Sequence, residues 1–294
     1  MTSLAQDEQV TPPKEILVRA GRMMSGPMGW SLLSGGRTNA IWRVVSPDSD
    51  WVFKLFDMSR ANPLFPNDPK AEIAALCALR GHGLAPEFVA QFETSMGPCL
   101  IYTYLPGASV AKTDDSVLRA LGQLHALPAP LGIRQVNVSS SALLADGNRF
   151  LNGQTTDLAK RLHSHRPALR DVPPMSPMSP AFLHGDPTPA NALSQDGMVR
   201  FVDWQCPAFG DPTADLAIAL SPAMHHVYGQ TQLSLADEMS ALACYPNPEV
   251  VDRYLTLRPV FRWRMAAYCA WKASMGEMIY SDAADAELSL EQAL

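Results

Sequence analysis

The sequence predicts an α+β protein of two lobes, a small N-terminal lobe built on an antiparallel sheet followed by a larger, mostly helical C-terminal lobe. Three observations predict it. Residues 29–56 read as three short β-branched and aromatic runs separated by turn residues. Amphipathic, helix-period segments dominate after residue 114. Between the two regimes lies Leu105-Pro106-Gly107, a break that neither a helix nor a central strand accommodates. With 294 residues, 47 % of them hydrophobic, the chain can bury a core for two modest domains or one domain of two lobes.

In the first lobe, strands are expected over residues 29–33, 40–45 and 51–56, turned by Ser34-Gly35-Gly36-Arg37 and by Ser46-Pro47-Asp48. A helix follows over 69–80. Asp68 suits its N-cap, Pro69 the first helical position and Gly81 the residue just past its end. Glu72, Leu76 and Leu79 fall on one stripe of that helix, so the carboxylate faces inward with two core leucines and needs a partner there. Lys54, at the end of the third strand, is the cation that can meet it. Two further strands, 88–92 and 99–104, bring the chain to the break, and the lobes are divided as 1–103 and 104–294.

In the second lobe, Asp114-Asp115-Ser116 caps a helix whose Val117, Leu118, Leu121 and Leu124 share a face. Pro173, Pro174, Pro177 and Pro180 make residues 172–180 a loop or extended connection. Further helices are expected over 214–224, 248–257 and 260–280.

The stretch richest in chemistry runs from Phe182 to Ala217. Pro187 and Pro189 forbid a regular helix, so residues 184–191 form an irregular loop that presents side chains from fixed backbone. Asp196-Gly197 closes a hairpin of residues 192–194 and 198–202. Its open ends carry Asn191 and Asp203, beside Asp186. Whether the two face one side depends on a turn of two or three residues, because a slip of one residue reverses the facing. Two carboxylates and an amide suit a hard cation such as magnesium, which takes oxygen ligands and borrows the rest from phosphate and water. Phosphoryl transfer asks for little more than in-line positioning, neutralised phosphates and a carboxylate near the attacking hydroxyl.

These residues resemble the aminoglycoside phosphotransferase and choline kinase superfamily, whose fold is protein-kinase-like. The resemblance rests on the loop from His184-Gly185-Asp186 to Asn191, on Val202-Asp203-Trp204, and on Asp211-Pro212 followed by Asp215-Leu216-Ala217. In the first half it rests on residues 34–39, Val52-Phe53-Lys54, Tyr104-Leu105-Pro106-Gly107 and, farther on, Leu121-Gly122-Gln123-Leu124-His125. It covers residues 29–220 in the family's order. It implies a nucleotide-binding N-terminal lobe and a catalytic, substrate-binding C-terminal lobe, with ATP and Mg2+ as cofactors. Asp186 is implied to be the catalytic base or hydroxyl-orienting carboxylate, Asn191 and Asp203 the metal ligands, and Lys54 with Glu72 the phosphate-binding pair. Gly35 and Gly36 would cover the phosphates, and the Tyr104 and Leu105 amides would meet adenine. His184 and Asp215 would support the loop. The glycine loop departs from both G-x-x-x-x-G-K-[ST] and G-x-G-x-x-G, and the C-terminal third carries no family motif.

The activity so implied is transfer of the γ-phosphate to a hydroxyl of a small molecule: choline-like, amino-sugar-like or another metabolite alcohol. The alternatives are a pseudokinase-like nucleotide-binding or regulatory protein and a metal-dependent hydrolase built on His184 and Asp186, for which the segment offers few ligands. A net charge of -6 argues against a nucleic-acid partner. The first residues lack the pattern of a signal peptide, no apolar run reaches membrane-spanning length, and five scattered cysteines without a C-x-x-C pair suit a cytoplasmic protein. His125 reads as a core or helix-end histidine, and the 163/165 histidine pair and the adjacent 225/226 pair as solvated or structural. Trp263, Tyr268 and Trp271 read as helix-core aromatics before they read as a cage for a cation. Asp282, Asp285 and Glu287 suit either a cationic acceptor or a solvated helix face.

Overall fold

Ile16 and Ala20 stand one helical turn apart on α1 (Lys14–Met23) and seal one face of a sheet. The computed structural model to which this helix belongs describes residues 11–33, 37–172 and 176–291. The chain divides into two compact units, one running up to Pro106 and including Trp204–Cys206, the other formed by Gly107–Asp203 and the residues from Pro207 onward.

The first unit is a five-stranded antiparallel sheet in the order β1-β2-β3-β5-β4, made of β1 (Gly29–Leu32), β2 (Ala40–Ser46), β3 (Ser49–Leu55), β4 (Phe88–Thr94) and β5 (Gly97–Thr103), with α2 (Pro69–Ala78) between β3 and β4. Strand alternation sends Trp42, Val44, Phe53, Leu55, Cys99 and Ile101 to the face that α1 covers. The opposite face carries Lys54, laddered between Ile41 and Leu100. Because β3 is central, four successive residues, Val52, Phe53, Lys54 and Leu55, are buried whichever way they point. Asp68 caps α2, its side chain accepting from Lys70 N at 2.9 Å and Ala71 N at 3.1 Å. The strands and α2 follow the sequence reading to within two residues; α1 was not anticipated.

The second unit opens with β6 (Ala108–Ser109) and α3 (Asp115–His125), which Asp114 caps. It continues with β7 (Arg134–Val136), α4 (Ser140–Leu151), α5 (Asp157–Ser164), β8 (Ala181–Leu183), β9 (Ala192–Gln195), β10 (Met198–Phe201) and β11 (Ala208–Gly210). Five helices complete it: α6 (Thr213–Ala219), α7 (Pro222–Val227), α8 (Leu235–Leu242), α9 (Pro248–Ser274) and α10 (Ile279–Glu291). The strands form two small sheets, β10-β9-β6 and β7-β11-β8.

Two expectations need correction here. The helix expected over 214–224 is two helices, because Ser221 ends one and caps the other, accepting from Met224 N at 3.2 Å. The helices expected over 248–257 and 260–280 are joined: α9 runs unbroken through Pro259 as far as Ser274, and a second helix starts only at Ile279. Proline removes one backbone donor, yet every residue from 260 to 270 is buried, and that packing outweighs the lost bond. Trp263 is wholly buried and donates from Nε1 to Leu162 O at 2.8 Å, while Tyr268 sits among Phe150, Trp271 and Tyr280, so these are core aromatics. Glu287 is no solvated face residue: it is buried and accepts from Ser221 Oγ and from Ala223 N, tying α10 to α7.

Candidate active site

The loop after β8 is held by its own backbone as much as by its side chains. Asp215, in the first turn of α6 and fully buried, accepts from His184 N through Oδ2 at 2.7 Å and from Gly185 N through Oδ1 at 2.9 Å. Gly185 adopts φ +82°, a left-handed conformation that glycine takes without the cost a Cβ imposes. His184 is buried, and its Nε2 lies 3.0 Å from Val202 O, which can only accept; the ring proton is therefore on Nε2, and Nδ1 accepts from Asp186 N at 3.2 Å. Pro189 opens a single 3-10 turn, Pro189–Asn191, a position where its missing N–H goes unused.

Asp186, 3 % exposed, meets Asn191 at the end of that turn. Asn191 Nδ2 donates to Asp186 O at 2.9 Å and to Asp186 Oδ2 at 3.3 Å, which commits the nitrogen end of the amide and turns its oxygen end elsewhere. The hairpin settles the register left open by the sequence: Gln195 pairs with Met198 across a two-residue turn, with Asp196 at φ 52° and Gly197 at φ 77°. At its open end Val202 N donates to Asn191 O at 2.9 Å, so Asp203 follows directly on the pair that holds Asn191. Asp203 has φ 63°, one of two non-glycine residues with positive φ among those described. A strained backbone of this kind concentrates at functional sites.

In the first unit, Lys54 Nζ donates to Glu72 Oε2 at 2.5 Å, with both side chains at most 1 % exposed. The sequence pairing of a strand lysine with an inward helix carboxylate is realised. Gly35 and Gly36 lie outside the described residues. Tyr104 requires a correction: its N–H donates to Asp50 O at 2.9 Å, so that amide is already committed and not directed at a base. Its ring instead lies under Arg43, 3.7 Å from the guanidinium carbon.

The profile of the phosphotransferase enzyme family matches residues 29–254. The chain belongs to that family. No match is found among curated protein sequences. Among solved structures, this phosphotransferase is similar to a choline/ethanolamine kinase family protein from Mesorhizobium loti at 17 % identity, TM-score 0.64, over 98 % of this chain and 94 % of that one. It is similar to choline kinase from Cryptosporidium parvum Iowa II at 13 % identity, TM-score 0.63, over 96 % of each chain. It is also similar to a thermostable mutant of an aminoglycoside phosphotransferase in ternary complex with AMP-PNP and hygromycin B, at 14 % identity, TM-score 0.60, over 95 % of this chain and 98 % of that one. These likenesses establish the protein-kinase-like α+β fold.

The contacts of several residues of this phosphotransferase escaped the sequence reading. His125, read as a helix-end or core histidine, reaches Asp215 Oδ2 with Nε2 at 3.1 Å and Tyr245 Oη with Nδ1 at 2.7 Å. Asp211 caps Thr213 through Oδ1 and accepts from Arg253 Nε through Oδ2 at 2.5 Å. In the first unit a buried amide cluster joins Asn39 to Asn67 at 2.9 Å and to Gln205 at 2.6 Å, and Asp57 N donates to Asn39 at 3.0 Å. Only the fold brings Asn39 and Gln205 together, 166 positions apart in the chain.

Proposed function

We propose that this phosphotransferase is an ATP- and Mg2+-dependent kinase of a small-molecule alcohol. The carrying observation is the Asp186–Asn191 contact on a loop whose backbone is clamped by both oxygens of Asp215. In the reaction, the acceptor oxygen attacks the γ-phosphorus and the bond to the β–γ bridging oxygen breaks. ADP leaves with that electron pair, and the hydroxyl proton passes to the Asp186 carboxylate. A buried carboxylate aimed by hydrogen bonds supplies orientation, which dominates this chemistry.

Asn191 and Asp203 fit a magnesium ion. The Asn191 nitrogen is occupied by Asp186, leaving its oxygen as the donor end, and Asp203 adds a carboxylate on a strained backbone. Among the described residues no three His, Cys, Asp or Glu side chains gather as a metal set, and a two-ligand oxygen site is one that suits magnesium rather than zinc. When bound, the ion would neutralise charge on the transferring phosphates. Lys54, held by Glu72, is assigned to the phosphates, Gly35 and Gly36 to covering them, and the backbone of Leu105 to adenine. His184 and Asp215 support the loop. A cytoplasmic site of action follows from the need for ATP.

The acceptor is assigned to the amine-bearing alcohols: the similar structures are named as choline, ethanolamine and aminoglycoside kinases, and the net charge of -6 favours a cation. The test is a panel of choline, ethanolamine, hygromycin B and spectinomycin with ATP and Mg2+, read as ADP release above the rate with water alone. Stimulation by at least one of them is expected. A uniform water rate, together with no binding of MgATP, contradicts the reading.

A further inference from the structure

We propose that Arg264, with Arg134 and Arg149, forms a binding site in the second unit for a small doubly charged oxyanion of the phosphate or sulfate kind. None of the three is assigned above to the nucleotide, the metal or the acceptor, so the proposal stands apart from the kinase reading. Helix α9 carries two buried arginines two positions apart, Arg262 and Arg264, each 5 % exposed. Their surroundings treat them differently. Arg262 Nη2 donates to Glu238 Oε2 at 2.8 Å, on a carboxylate that the Tyr254 hydroxyl also reaches at 2.9 Å. For Arg264 the nearest carboxylate among the described residues is that of Asp146 on α4, whose Oδ2 stands 3.8 Å from Nη1, beyond hydrogen-bond reach. Its Nε is sealed from solvent with no partner, and the Phe261 ring, 5.6 Å from the guanidinium carbon, offers a π face but no acceptor.

Asp146 is also shared. Its Oδ1 accepts from Arg149 Nη2 one turn along α4, so a single carboxylate serves two guanidinium groups. Arg134, on β7, brings a third positive charge to bear. Burial lowers the Arg264 pKa to about 10, Asp146 opposes that drop and Arg134 adds to it, and the group remains charged at neutral pH. Three arginines against one aspartate leave two positive charges in excess, and a buried charge calls for a hydrogen-bonded counter-charge. The arrangement is not loose. Gly147 follows Asp146, and a Cβ there would run into the Trp263 ring, so α4 and α9 pack closely at the residues next to Asp146 and Arg264. Arg149 is exposed and Asp146 partly so, which opens the cluster to solvent on one side. Guanidinium groups hold phosphate and sulfate through paired N–H donors, and a doubly charged ion matches the excess where acetate or chloride brings one charge.

The test follows thermal unfolding of wild type, Arg264→Met, Asp146→Asn and Lys54→Met as phosphate or sulfate replaces chloride at constant ionic strength, with acetate as the singly charged control. The rise in melting temperature gives an apparent affinity. Wild type is expected to show a saturable rise with phosphate and sulfate, at an affinity at least about tenfold above that for acetate. Arg264→Met should weaken the phosphate affinity by about tenfold or more. In chloride alone it should melt at or above wild type, because an apolar chain replaces an uncompensated charge. Asp146→Asn, which removes the competing carboxylate, should tighten the affinity by about threefold or more. Lys54→Met should keep the wild-type affinity, which separates this site from any phosphate held by the nucleotide residues. No saturable rise in wild type, a wild-type response in Arg264→Met, or a response lost in Lys54→Met overturns the proposal. Should Arg264→Met not fold, an affinity in Asp146→Asn no tighter than wild type overturns it equally.

Discussion

Replacing Glu72 by leucine removes one half of an ion pair whose members, Lys54 Nζ and Glu72 Oε2, stand 2.5 Å apart with side chains 0 % and 1 % exposed. Both side chains are shut off from solvent, and breaking a buried pair from one side costs about 3–5 kcal/mol. Lys54→Met should cost a similar amount, even though the Phe56 ring, 4.8 Å from Nζ, softens the site for a methyl-tipped chain. For a chain of this size each kcal/mol lowers the melting temperature by about 2–4 °C, so either single variant should lose roughly 6–20 °C. The double variant Lys54→Met/Glu72→Leu buries an apolar pair instead and should melt above both singles, with a coupling of at least about 3 kcal/mol. Thermal unfolding of the four proteins by circular dichroism reads it. Additive losses, with the double variant lowest, would refute the claim that the pair is buried and mutually dependent.

Three further outcomes are expected. His225 is buried, donating from Nδ1 to Ser221 O at 2.9 Å and accepting from Thr113 N at 3.3 Å, and burial lowers its pKa. Its contribution to stability is thus complete above the unfolded value of about 6.5 and is lost as pH falls toward the lowered folded value. Wild type should lose melting temperature between pH 7 and 5 more steeply than His225→Gln, and equal slopes would count against it. Asp196→Val puts a β-branched side chain at φ 52° and should destabilise the hairpin that carries Asn191 and Asp203 by about 1–2 kcal/mol, whereas Asp196→Gly should not; denaturant titration distinguishes them. Gly147→Ala sets a methyl against the Trp263 ring and should cost about 1–3 kcal/mol, measured the same way.

Much of the first unit was legible because its signals are local. A proline at N1 behind an aspartate cap and a lysine near the end of a strand are each decided within a few positions, and the structure keeps both. The loop of residues 184–191 was legible for a related reason: two prolines exclude a helix, and the hairpin beyond brings Asn191 and Asp203 to one end. What stayed hidden depends on distance along the chain. His125 and Tyr245 lie 120 positions apart, Asn39 and Gln205 166, and only the tertiary fold makes partners of them. The single long helix α9 was hidden for the opposite reason, since the local cost of Pro259 inside a helix is outweighed by the burial of every residue from 260 to 270. Tyr104 illustrates the limit of analogy: its place before Leu105-Pro106-Gly107 matched a hinge, while its N–H was already bound to Asp50.

The central claim is that Asp186 aims an acceptor hydroxyl while other groups bind the nucleotide. Asp186→Asn keeps the size of the side chain and its ability to accept from Asn191, and removes the charge. With an acceptor identified from the panel, kcat should drop by about a hundredfold or more while MgATP affinity, by isothermal titration, stays within about threefold of wild type. Undiminished turnover by Asp186→Asn would contradict the account.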